Sequence, residues 1–265
     1  MELIQSCEQN THEKIVRAIA IAIAMMCFGQ EENADVYIKC LVDSKDHVAR
    51  YGGVLAIGMA YAGTGNNMAL KKLLSLAASD VSDDVRRSAV MSMGYLMLND
   101  YDNMFKVIGL LCVSFNAHVR YGAAMALGIA CANTCHPEAI KILEELLNDN
   151  VDFVKQGAAI GLAFVLQQAT KAHEPKVETF KEKLMEKIKK KSEDALFKWG
   201  CIVATGILDA GGRNSVVKLI SEARTVKRGA ITGMLLFTQY WYWFPLTQML
   251  SLSLEPTCLI GVNEN

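Results

Sequence analysis

Apolar and polar positions along the 265-residue chain alternate between two patterns. One is apolar nearly all round and rich in small residues, as in VARYGGVLAIGMAYAG from residue 48 and VRYGAAMALGIACANT from residue 119. The other is two-sided. Over residues 67–78 (NMALKKLLSLAA) it sets Met68, Leu70, Leu73, Leu74 and Ala77 at helical spacing, with Lys71 and Lys72 opposite. The first pattern predicts a buried helix and the second an amphipathic one. Segments 31–42, 103–115, 137–147 and 214–221 fall in the same slot as 67–78. AIAIAIA at 18–24 alternates like a strand, but its sister copies carry Gly and Ala where a strand favours branched side chains, so it too is expected to be helical.

The buried pattern lies on a grid: a basic residue, Gly two places on, and a second Gly six places later. Two copies are complete, Arg50/Gly52/Gly58 and Arg120/Gly122/Gly128. Arg86/Ser88/Gly94, Lys155/Gly157/Ala163 and Lys198/Gly200/Gly206 depart by one or two residues, and Lys14/Val16/Ala22 is degenerate. The basic positions 14, 50, 86, 120, 155 and 198 are separated by 36, 36, 34, 35 and 43 residues. A period of that size marks stacked supersecondary units.

Small side chains also recur four apart, on one helical face: Gly52/Ala56/Ala60, Gly122/Ala126/Ala130, Ser88/Ser92, Gly157/Gly161, Gly200/Ala204 and Ala20/Ala24. Glycine within a helix costs roughly 0.5–1 kcal/mol relative to alanine, a cost that close helix packing offsets. The expected fold is therefore all-α: an α-solenoid of about six helical hairpins, Gly/Ala-rich helices inside and amphipathic helices outside. At least ten helices and almost no strand are expected before Phe237. Gly63, Gly65 and the pair Gly211-Gly212 suit turns, and Pro137 suits a first helical turn.

Two stretches depart from the repeat. KAHEPKVETFKEKLMEKIKKKSED at 171–194 accounts for the 43-residue interval, with Pro175 opening a longer outer helix and Val177, Phe180, Leu184 and Ile188 facing inward. Its lysines at 187 and 189–191 suit a solvated helix end. FTQYWYWFPL at 237–246 gathers aromatic residues around Pro245. The division expected is a repeat array over 1–236 and the start of a carboxyl-terminal domain over 237–265, with Trp241, Trp243 and Phe244 as a domain or partner seam. Neither end carries a polar capping helix, so exposed apolar surface is expected at both.

Composition narrows the function. Hydrophobic residues make up 52% of the chain and prolines number only four, as in a folded helical protein. A formal net charge of −1 supplies no field for nucleic acid. Most of the eight cysteines are scattered through apolar helices as buried thiols would be, and no secretory signal opens the chain, which favours a reducing cytoplasmic and nuclear setting. Mean hydropathy is +0.20, yet the apolar runs of the repeats are shorter than the roughly 20 residues a membrane helix needs. The uncharged stretch 229–254 is interrupted by Pro245 and by Thr and Gln residues, so no membrane partner is expected.

No phosphate-binding glycine loop occurs. Cys131, Cys135 and His136 are candidate metal ligands without a second cluster to complete a zinc site. The carboxylate pairs 31–32, 83–84 and 144–145 read as solvated positions on outer helices or turns. No catalytic residue, cofactor or metal is expected, and the chain reads as a non-enzyme.

Residues 50–66 and 120–134 resemble the proteasome/cyclosome repeats, helical hairpins shared by proteasome subunits and the largest cyclosome subunit. ILDAGGRN (207–214), FTQYWYWFPL (237–246) and PTCLIGVN (256–263) are similar to the end of the repeat region in a proteasome member. The resemblance covers essentially the whole chain. It implies a carboxyl-side portion of a toroid that acts as a non-catalytic scaffold in ubiquitin-dependent protein degradation. The partners it implies are other subunits of the regulatory particle (lid and ATPase ring) and ubiquitin receptors or deubiquitinases. The alternatives are a receptor surface for ubiquitin or ubiquitin-like domains and a scaffold of the cyclosome ubiquitin ligase. Val16 and Ala22 stand where the repeat has Gly, and the tail that docks a ubiquitin receptor in the family is not carried over.

Overall fold

The computed structural model describes residues 2–98 and 100–257. Residues 258–265, which hold most of the PTCLIGVN stretch and the end of the expected second domain, lie outside the described residues, as do Met1 and Asn99.

Six helices of 14 residues form the inner layer: α2 (Glu13–Met26), α4 (His47–Ala60), α6 (Asp83–Leu96), α8 (Ala117–Ala130), α10 (Asp152–Val165) and α12 (Ala195–Leu208). Each packs on the next in order, and the fold is an α-solenoid. Between them run the outer helices α3 (Asp35–Val42), α5 (Asn67–Ser79), α7 (Tyr101–Cys112), α9 (Pro137–Leu146) and α11 (Lys176–Lys189), with α1 (Glu2–Gln9) beside α2. After α12 come α13 (Arg228–Phe237) and a two-stranded antiparallel sheet of β1 (Ser215–Val217) and β2 (Leu254–Pro256). Residues 18–24 are helical, as expected, because their alternating Ile and Ala lie in a run that is apolar on both faces.

Three of the inner helices, α4, α8 and α12, start at side-chain caps: Asp46 accepts from the Val48 amide, Asn116 from His118 and Asp194 from Leu196. The far ends of α6 and α10 are capped by the neighbouring repeat. The Gly63 and Gly65 amides donate to Tyr95 and Leu96 carbonyls at 2.9 and 3.1 Å, and Asn133 and Cys135 do the same for Phe164 and Val165 at 2.8 and 3.1 Å. All four donors sit at positive φ, which turns their N–H groups toward the next helix.

The small residues mark the places where inner helices meet. A Cβ on Gly94 would lie 2.7 Å from both Cα and O of Ala126; on Gly58, 2.9 Å from Ser92 Cβ; on Gly122, 2.6 Å from Arg87 O. Gly52 would overlap Ala20, and Gly128 would overlap Gly161. Gly157 and Gly200 face the side chains of Tyr121 and Gln156.

The long interval before Lys198 comes both from α11, which at 14 residues is the longest of the outer helices as expected, and from the long turn at 166–175 that precedes it. Three sequence expectations need correction. Residues 214–221 do not form an outer helix: Gly211 and Gly212, both at positive φ, break the chain direction, and the β-branched Val216 and Val217 pair with Glu255 and Leu254. Asp83 and Asp84 open inner helix α6 rather than an outer helix, and Asp84 is drawn into an ion-pair network. The aromatic stretch is no exposed end. Phe237, Thr238, Gln239 and Tyr240 are buried, because the inner helices supply apolar and hydrogen-bonding surface around them.

Candidate functional site at the aromatic segment

α13 ends at Phe237 as the chain tightens into a 3-10 turn over Thr238–Trp241, the Thr238 hydroxyl donating back to Leu235 O at 2.7 Å. Pro245, which has no N–H to donate, starts the next 3-10 segment, Phe244–Ser253. That segment packs under α13, where a Cβ on Gly233 would lie 2.6 Å from Leu252 Cβ. The result presents residues 237–244 to the inner helices.

All six inner helices contribute a side chain to it. Arg17 of α2 stacks on Tyr242 with Cζ 3.6 Å from the ring centroid. Tyr51 of α4 donates to Gln239 Oε1 at 2.7 Å. Arg87 of α6 lies 4.1 Å over the Trp241 ring and donates to the Tyr242 hydroxyl at 2.8 Å. Tyr121 of α8 shares a short hydrogen bond with Tyr240, and its ring meets Trp241 edge-on at 4.9 Å. Phe153 and Phe164 of α10 meet Trp241 and Phe237, both at 5.7 Å. Trp199 of α12 lies 4.7 Å from Tyr240 and 5.6 Å from Phe244.

Four of these residues, Tyr51, Arg87, Tyr121 and Trp199, directly follow the basic residue of their repeat, and the fifth in the column is Gln156. Reading the grid only for basic and small residues missed this column. Its signal was a bulky residue at one fixed place in five copies.

Two guanidinium groups are buried here, and carboxylates compensate them. Arg87 pairs with Asp84 at 2.9 Å; Arg17 pairs with Glu13 at 2.7 Å and lies 3.6 Å from Asp84. Burial works to raise the Asp84 carboxyl, but Arg87, the Tyr242 hydroxyl and Arg17 outweigh it and hold the group below its ordinary range. His118, 3.3 Å from Arg87, is pushed down by burial and then by that charge. Arg17 Nη1 is buried without a hydrogen-bond partner, and its stacking between the Tyr51 and Tyr242 rings stands in for one.

The basic residues of the grid do something different. Arg50 donates to Asp80 through Nε and Nη2 at 2.8 and 3.0 Å, while Nη1 reaches the carbonyls of Ser44 and Lys45. Arg120 repeats the arrangement on Asp149, Ser114 and Phe115. Each arginine thus clamps the turns on either side of one hairpin, a bidentate geometry that lysine cannot reproduce. Where Arg86 would need a carboxylate, the chain has Ser114, whose hydroxyl accepts from the Asn116 amide as Asp80 and Asp149 accept from Ser82 and Val151. Arg86 and Asn116 both bind Asp83 instead. Lys155 pairs with Asp152 in its own helix at 2.5 Å, and Lys198 makes no ion pair among the described residues.

Trp243 is half-buried beside Tyr242, and Phe244 is mostly exposed. Cys131 is buried with its thiol pushed up to about 12 by burial, and no group of three or more His, Cys, Asp or Glu among the described residues is arranged to hold a metal ion. The site's chemistry is stacking, ion pairing and hydrogen bonding.

Comparison with known proteins agrees with this architecture. Residues 70–163 match the model of HEAT repeats, and residues 52–87 match that of the proteasome/cyclosome repeat. The chain is 47% identical over its full length to the 26S proteasome non-ATPase regulatory subunit 1 of Drosophila melanogaster. Identity is 45% over 99% of the chain to homolog B of that subunit in Arabidopsis thaliana, and 44% over the full length to the Dictyostelium discoideum protein. The chain spans about a quarter of these relatives, 26% of the first two and 27% of the third. One stretch of the chain thus matches the proteasome/cyclosome repeat, and along its whole length the chain is similar to a portion of 26S proteasome non-ATPase regulatory subunit 1.

Proposed function

We propose that the chain is a non-catalytic scaffold of the 26S proteasome regulatory particle, organising lid, ATPase-ring and ubiquitin-handling subunits in ubiquitin-dependent degradation in cytoplasm and nucleus. Similarity over the whole chain supports the assembly. The observation that carries the structural role is the occupied interior: the inner helices direct their bulky side chains at the chain's own 237–244 segment, leaving the outer helices and inter-repeat turns to meet partners. In this reading residues 237–265 open a carboxyl-terminal domain, rooted by the pairing of β1 with β2. No described helix is long and apolar enough to cross a membrane.

Affinity purification of the tagged chain from eukaryotic cells, followed by mass spectrometry, tests the proposal. Lid and ATPase subunits should be enriched over an unrelated helical-repeat control. Their absence from the enriched set refutes the scaffold reading.

One feature favours the receptor reading as a second possibility. Leu110 and Val113 on and beside outer helix α7, with the fully exposed Phe115, form an apolar surface of the kind that binds folded domains. Titration of labelled ubiquitin with the chain should then shift ubiquitin resonances, and Phe115→Glu should abolish the shifts. Unperturbed spectra at saturating chain eliminate it.

A further inference from the structure

Two places before the N-cap of five successive inner helices stands a small acceptor: Ser44, Asp80, Ser114, Asp149 and Ser192. The first four accept from the N-cap amide, at 3.2, 2.8, 3.3 and 2.8 Å. The two aspartates also receive the grid arginine of the preceding inner helix, Arg50 on Asp80 and Arg120 on Asp149. Ser192 departs from its column. Its hydroxyl makes no hydrogen bond among the described residues, and it is exposed where Ser44 and Ser114 are half-buried. The grid cation that precedes it is Lys155 of α10, which pairs with Asp152 of its own helix and lies 5.4 Å over the ring of Phe197 in the first turn of α12. That repeat therefore has the cation of a clamp and lacks the anion.

The lysines at 189–191 run directly into Ser192, and all three are exposed. Residues 190–194 form a turn that belongs to neither α11 nor α12. One other serine or threonine, Ser88, follows two cations within three residues, and it is fully buried inside α6. The fold thus leaves one of the two accessible. Corresponding turns with a repeat on either side also carry exposed residues, Val81, Phe115 and Asn150, so exposure there is a property of the solenoid's rim and not of the end of the array.

We propose that Ser192 is a phosphorylation site for a lysine-directed serine/threonine kinase, and that its phosphate fills the place Asp80 and Asp149 hold, with Lys155 as its cation. Ser192 Oγ attacks the γ-phosphorus of ATP, its proton passes to the kinase's general base, the bond to the β,γ-bridging oxygen breaks, and ADP leaves. The kinase reads the lysines with carboxylates of its own. The product carries roughly −1.5 to −2 charge at neutral pH and three strong acceptor oxygens. Residues 187–194 hold four lysines against Glu193 and Asp194, so the phosphate brings a basic turn to about neutrality. The new anion also stands before the start of α12, where the helix dipole favours it. The proposal is independent of the scaffold reading, and its failure leaves that reading untouched.

Incubation of the full chain with ATP, magnesium and the catalytic subunit of cyclic-AMP-dependent protein kinase, which selects basic residues upstream, tests both parts by mass spectrometry and thermal melting. Phosphate should enter at Ser192 and not at Ser88 of the folded chain. The double variant Lys189→Glu/Lys190→Glu should slow incorporation roughly tenfold or more. The phosphorylated chain should melt about 2–4 °C above the unmodified one. Lys155→Met should still be phosphorylated but should show no such gain when its own two forms are compared. No phosphate at Ser192, phosphate at Ser88 in its place, or undiminished incorporation in the charge-reversed variant overturns the site. An absent gain in melting temperature, or a gain that survives Lys155→Met, overturns the clamp.

Discussion

Gly94→Ala asks one methyl group to fit where two inner helices touch. Its Cβ would stand 2.7 Å from Ala126 Cα and O and 3.1 Å from Ala126 C. Carbon atoms pack best about 3.5–4.0 Å apart, so the backbones of α6 and α8 must separate by roughly 1 Å. The obstacle is backbone, which cannot rotate away as a side-chain tip would. Overpacking of this kind costs about 1–3 kcal/mol, against a gain of about 0.5–1 kcal/mol from replacing a helical glycine. The net is a loss of about 0.5–2 kcal/mol, a fall of roughly 2–6 °C in melting temperature for a chain of this size. Gly109→Ala on outer helix α7 is the matched control, because a Cβ there meets nothing within 4 Å. It retains the full propensity gain and should melt roughly 1–3 °C higher. Circular dichroism at the helical minimum reads both. Shifts of the same sign would refute the argument that glycine sits at these crossings because the helices are too close for a side chain.

Three more outcomes follow from the site and the thiols. Arg87→Ala leaves Asp84 without its nearest cation and strips the guanidinium from Trp241; it should cost about 3 kcal/mol or more and red-shift tryptophan emission, and an unchanged spectrum would contradict the stacking. Burial works to raise Asp80 and Asp149, but hydrogen bonds from Arg50 and Arg120 and from the Ser82 and Val151 amides hold them, like Asp84, below the ordinary carboxylate range. The stability they contribute is present above the unfolded value near 4 and is lost as pH falls through the depressed folded values. Urea midpoints should therefore drop steeply in acid, and Asp149→Asn should flatten the dependence; an equal slope refutes the clamp. Burial pushes the Cys112, Cys131 and Cys201 thiols up to about 12, so alkylation at mildly alkaline pH should reach them only after unfolding, and rapid native labelling by mass spectrometry would overturn that.

Local order was legible in the sequence because helical hydrogen bonds close within a few residues. The Arg50 and Arg120 copies fixed the period, the small residues located the helix crossings, and the apolar stripe of 67–78 identified an outer helix. The likeness to the proteasome/cyclosome repeat was legible for the same reason, since it rests on a local spacing. What only the tertiary structure decided lies between segments far apart in the chain. Tyr51 meets Gln239 across 188 residues, and Tyr121 meets Tyr240 across 119. Nothing in the composition of FTQYWYWFPL distinguishes a solvent-facing seam from a buried one, because an aromatic side chain suits either. The outcome depends on whether other helices bring surface to cover it. Asp84 reads as a solvated acid until folding places Arg87 and Arg17 beside it, and residues 214–221 read as a helix until β2 arrives to pair with them. Gly206 makes the same point in reverse. It satisfies the repeat pattern as fully as Gly94, yet only the fold shows that one glycine meets a neighbouring helix and the other faces open space.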